Sequence, residues 1–71
     1  MKTVHLFSLE ERAELLKEFC KVNHFSYHMV CKVMFENMLG EEAAKDFMRY
    51  FQYYLSGKLG ICAGHIKFEE Q

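Results

Sequence analysis

The chain contains no proline, and its four glycines (Gly40, Gly57, Gly60 and Gly64) all stand at or after position 40. Between Leu9 and Leu39, therefore, neither of the two residues that most penalise a helix interior is present. With so few breakers, little of the 71-residue chain is left for loops, and segment boundaries must be read from capping residues. This favours a mainly α fold.

Ser8-Leu9-Glu10-Glu11 is a capping-box sequence: the hydroxyl is placed to accept from the Glu11 amide, and the Glu11 carboxylate to reach back. The first helix is predicted over residues 9–22, with Leu9, Ala13, Leu16 and Cys20 on one strip. Glu10, Glu14 and Glu18 lie on the opposite face, with Lys17 and Lys21. Asn23-His24 offers a turn, because both residue types tolerate positive φ. Ser26 is an N-cap, and Phe25 and Val30 hold the two positions of a hydrophobic staple. The second helix is predicted over 27–39, closed by Gly40; one continuous helix from Leu9 to Leu39 is the alternative. Glu41 and Glu42 suit the positive end of a third helix over 41–56, which Gly57 closes. From 58 to 69 the period changes to alternation, with Leu59 and Ile61, then Ile66 and Phe68, spaced by polar or small residues. The expectation is one compact three-helix domain over 1–71, ending in a short C-terminal β-hairpin or an extended tail.

Composition sharpens the functional question. Half the residues are apolar, and seven Phe with four Tyr supply the aromatics. The second and third helices are apolar around most of their circumference, which calls for burial on more than one side. A domain of this size hides only about 60% of its unfolded surface, so a lone monomer cannot bury the surplus. Tyrosine and methionine suit recognition surfaces, since they combine contact area with a polar tip or an adaptable thioether. Met48, Tyr50, Tyr53 and Tyr54 on the third helix are the candidate partner- or dimer-binding residues. Another protein is the expected partner, with the chain itself a homodimer.

Phe19 to Met34 (FCKVNHFSYHMVCKVM) resembles the centre of a helix-turn-helix. Phe19 and Cys20 match the apolar and small positions of its first helix, Phe25 the apolar residue after the turn, Ser26 the cap, and Val30 and Val33 the buried face of the second. Two positions depart from the pattern: Asn23 stands where an apolar residue is usual, and His24 where glycine supplies positive φ. The resemblance implies that Ser26, Tyr27, His28 and Lys32 face a DNA groove. In a second register the third helix reads and 58–68 form a wing, which resembles winged-helix repressors in element order. Charge opposes both, because phosphate contacts supply most DNA affinity and nine Lys and Arg meet ten Asp and Glu. A DNA-binding transcriptional regulator is thus the alternative function.

A second alternative is a small zinc-binding module built from Cys20, His24, Cys62 and His65, two half-sites with two or three intervening residues. The three cysteines are odd in number and widely spaced, as expected of reduced thiols in the cytoplasm. The N-terminal MKTVHLFSLEER lacks a signal-peptide pattern, and no apolar run reaches the ~20 residues that span a membrane. No glycine-rich phosphate loop, HExxH or paired-carboxylate arrangement points to catalysis or to a cofactor. The chain therefore reads as a cytoplasmic, non-enzymatic regulatory or inhibitory protein, and in style it resembles small phage- or plasmid-borne regulators and inhibitors.

Overall fold

The computed structural model describes residues 4–69. In chain order it comprises β1 (His5–Phe7), α1 (Leu9–Asn23), α2 (Tyr27–Phe35), α3 (Glu41–Leu59), a 3-10 turn (Ala63–His65) and β2 (Ile66–Phe68). It is a mainly α, three-helix domain with a short C-terminal strand.

α1 opens on the complete capping box, with the Glu11 amide donating to Ser8 Oγ (3.1 Å) and the Ser8 amide to Glu11 Oε1 (3.0 Å). The chain then turns at His24, which adopts the left-handed conformation (φ 60°, ψ 36°), so α1 and α2 are separate helices. The Phe25 amide donates to the Cys20 carbonyl (2.9 Å) and the His24 amide to that of Lys21 (3.4 Å), the double closure of a Schellman motif. Asn23 Nδ2 adds a bond to the Phe19 carbonyl (2.9 Å). An asparagine there thus serves the helix end where the helix-turn-helix pattern prefers an apolar residue. Phe25 supplies the apolar contact of this motif, meeting Phe19 at 6.0 Å and Phe47 at 5.7 Å, both edge-on.

Two helix ends differ from the sequence expectation. α2 stops at Phe35 instead of Leu39, because Asn37 takes positive φ (52°) and the amides of Glu36 and Met38 both close on the Lys32 carbonyl. Gly40 becomes the residue that leads into α3. α3 runs through Gly57 to Leu59 and is closed by Gly60, at φ 68°. The extra turn brings Lys58 against Glu18 of α1 and over the Tyr54 ring (5.9 Å). A mid-helix glycine costs only about 1 kcal/mol, so such contacts suffice to carry the helix past it.

The alternating segment after α3 does not fold back on itself as a hairpin. Its extended end, β2, lies parallel to β1 in the register His5↔Ile66, Leu6↔Lys67, Phe7↔Phe68. The reason is packing. Ile66 is fully buried, Phe68 stacks on Phe51 of α3 (5.5 Å, 5°), and Phe7 packs on Phe68 (6.1 Å). A parallel partner from the other end of the chain lets both phenylalanines pack against the core, which gives the two short strands the support that an isolated pair lacks in water. That core joins Leu16, Phe19 and Cys20 of α1, Val30 and Met34 of α2, Phe51 and Leu55 of α3, and Ile66 of β2.

Candidate functional site

α3 carries the candidate surface, and its 3.6-residue repeat divides the four proposed contact residues. Ala44, Phe51 and Leu55 face the core and fix the helix rotation. Tyr50 and Tyr53, three residues apart, then point outward and are 60% and 61% exposed. Tyr54 lies on the flank, half-buried, with its ring 5.4 Å from Phe19. Met48 occupies the opposite flank and also packs on the core. The outward pair is therefore Tyr50 and Tyr53, while Tyr54 helps to seat the helix and Met48 both packs on the core and borders the open space beside α2.

Tyr50 is not isolated. Its ring meets Phe47 edge-on (6.4 Å), and Phe47 meets Phe25 (5.7 Å), which remains 43% exposed at the α1–α2 turn. Sequence reasoning did not assign Phe25 to this surface. Its place beside a predicted turn, in a chain already rich in aromatics, was the available signal. A second apolar exposure gathers Phe35, Met38 and Leu39 at the other end of α2. Nine residues of helix separate the two ends, roughly 13 Å. There Arg12 stands over the Phe35 ring (4.2 Å).

Between α2 and α3 a shallow open groove of about 290 Å³ is lined by Met34, Ala44, Lys45, Met48, Arg49 and Gln52. Its rim is cationic. Arg49 is shared with Asp46 of its own helix at 3.5 Å, and Lys45 pairs with no carboxylate among the described residues.

The residues implied by the helix-turn-helix resemblance are only partly available. Ser26 is engaged as the α2 cap, accepting from the Met29 amide at 3.4 Å. Tyr27 is half-buried with Lys17 over its ring (5.6 Å); burial first, and then a contact with the Cys31 thiol, push its hydroxyl pKa up. His28 is exposed, and Lys32 is half-buried. The wing of the other register is absent among the described residues, since its extended half pairs with β1.

The four zinc candidates are not brought together. Cys20 is 2% exposed in the core, whereas His24 sits in the exposed turn and Cys62 on the surface. Among the described residues no group of three or more His, Cys, Asp or Glu side chains could hold a metal ion. The i, i+4 spacing of Cys20 and His24 fails because the helix ends between them, at Asn23. Burial, and then the nearby Cys31, raise the Cys20 thiol pKa, so it stays protonated and behaves as a small apolar residue. On α1, Glu18 is engaged by Lys58, whose ammonium pKa that contact raises, and Glu14 pairs with Lys17 at 3.8 Å. Glu11 is held below the usual carboxylate range by its bonds with Ser8.

No helix among the described residues is long and apolar enough to cross a membrane. Comparison with known protein families, curated proteins and solved structures finds no match to this chain.

Proposed function

We propose that this protein is a small non-enzymatic regulator or inhibitor that acts by binding another protein, and that it works as a homodimer. The observation that carries the reading is the outward pair Tyr50 and Tyr53, continuous through Phe47 with exposed Phe25. Three aromatic rings about half exposed offer roughly 300 Å², the scale of the largest and often functional patch on a monomer. A standard interface needs about 800 Å² from each partner, so contact centred on these rings extends onto both flanks of α3. The separate exposure of Phe35, Met38 and Leu39 supports self-association alongside a foreign partner, one surface for each. Three free cysteines agree with action in the reducing cytoplasm.

The test is capture from a lysate of cells that express the chain, comparing tagged wild-type protein with the Tyr50→Ala, Tyr53→Ala double variant. The reading predicts a stoichiometric partner recovered by the wild type and lost in the variant. Equal recovery by both, or a protein that stays monomeric and alone at every concentration, contradicts it.

One observation favours DNA binding as a second reading. His24 adopts the left-handed conformation at the position where the helix-turn-helix pattern has glycine. Electrostatics opposes this reading, because α2 offers only His28 and a half-buried Lys32. Duplex DNA binding that weakens steeply with salt and with Lys32→Ala would place it first.

A further inference from the structure

We propose that the α2–α3 groove receives an acidic amphipathic helix of the partner protein, with apolar anchors on its methionine floor and carboxylates on its cationic rim. This rests on the protein-binding reading and specifies the partner's chemistry.

The groove is open, and its volume of about 290 Å³ falls at the bottom of the roughly 300–1,000 Å³ range of pockets that enclose small molecules. Its size suits one or two apolar side chains projecting from a larger body. Met34 and Met48 form the floor with Ala44, and flexible thioethers adapt to the shape of an inserted side chain. Along α3 the lining runs from Ala44 to Gln52, roughly 12 Å, close to the separation of i and i+7 on an opposing helix. A helical occupant therefore presents two successive anchors to the groove. An extended peptide finds no sheet edge here, because both walls are helices.

The rim selects the sign of the occupant. Lys45 faces no carboxylate partner among the described residues. Among the described residues Arg49 is held by Asp46 alone, an exposed pair on the same helix, and such pairs contribute so little that a partner carboxylate can replace them. Gln52 adds a group that both donates and accepts. The six lining residues include two cations and no acid, and although Glu41 and Glu42 stand one turn before Lys45 on α3, the groove itself presents Lys45 and Arg49 to an acidic ligand. Arg49 and Tyr53 are neighbours at i, i+4, so the groove and the aromatic flank form one surface centred on the outer side of α3.

The probe is a fluorescently labelled, helix-forming peptide of about 16 residues, with leucines at i, i+3/i+4 and i+7 flanked by glutamates. A counterpart carries lysine at each glutamate. Binding is followed by anisotropy, and the site by the methyl NMR signals of the methionines. The expected result is saturable binding of the acidic peptide with shifts at Met34 and Met48. Affinity should fall roughly tenfold or more in the exposed Lys45→Glu, Arg49→Glu double variant, with its helical circular dichroism unchanged. Equal binding of both peptides, unmoved Met34 and Met48 signals, or indifference to the charge reversal would overturn the proposal. Shifts at Met34 and Met48 on raising protein concentration alone would assign the groove to a second copy and overturn it as well. Loss of a captured partner on mutating Tyr50 and Tyr53, without peptide binding in the groove, would leave the protein-binding reading intact and remove only this one.

Discussion

The two sides of α3 use similar residues to opposite ends. Inward, Phe51 and Leu55 are completely buried, and Phe51 is stacked on Phe68 and tilted against Phe19. Outward, one and two residues away, Tyr50 and Tyr53 leave more than half of their surface to solvent. The inner side contributes to stability alone, since nothing but the protein's own core touches it. The outer side contributes little to folding, and its aromatic area is available to a partner. The difference teaches that a helix with apolar residues around most of its circumference can still have one structural face and one free one.

The sharpest way to break this comparison is at the core. Phe51→Ala removes a ring that bridges α1, α3 and β2, and should cost about 3–5 kcal/mol in urea unfolding. In a domain of this size that is a large share of the total stability. A loss below about 1 kcal/mol would mean that the inner side is not the core.

A smaller, paired effect tests where α3 ends. Gly57 lies inside the helix with open space where a Cβ would go, so Gly57→Ala should stabilise by roughly 0.5–1 kcal/mol. Gly60 has φ 68°, and Gly60→Ala should destabilise by about 1 kcal/mol, because L residues resist the left-handed region. Thermal melts of both variants should therefore move in opposite directions. Movement in the same direction would contradict the observed helix end.

The smallest expected change in stability is on the outer side. Tyr50→Ala with Tyr53→Ala should alter unfolding by no more than about 0.5 kcal/mol per site, as exposed positions do. A larger loss would show that these rings belong to the fold, and would sharpen the boundary between the two faces.

Which parts were legible in the sequence follows from range. The Ser8–Glu11 capping box and the Ser26 cap each lie within three residues, so composition at those positions suffices to predict them. The turn at His24 was readable from the tolerance of Asn and His for positive φ. The ends of α2 and α3 were less so, because Asn37 competed with Gly40, and Gly57 with Gly60, and contacts made after folding decided between them. The parallel pairing of β1 with β2 joins opposite ends of the chain, and no local pattern encodes it. It depends on Phe7 packing on Phe68 while Phe68 stacks on Phe51. On the candidate surface, aromatic richness pointed to α3, but the helix rotation had to be known to separate Tyr50 from Tyr54. These stand only about 40° apart on the wheel, yet one faces solvent and the other leans on Phe19. Cys20 was legible as a buried small residue, and its pairing with His24 in a metal site was undone by the helix end between them.

The central claim is that the outer side of α3 is an interface. The most direct measurement is photocrosslinking from a benzoylphenylalanine placed at Tyr53, with the same group at exposed Glu14 of α1 as control, in cells that express the chain. The account predicts a discrete protein adduct from position 53 and none from position 14. No adduct from position 53, or the same products from both positions, would contradict it.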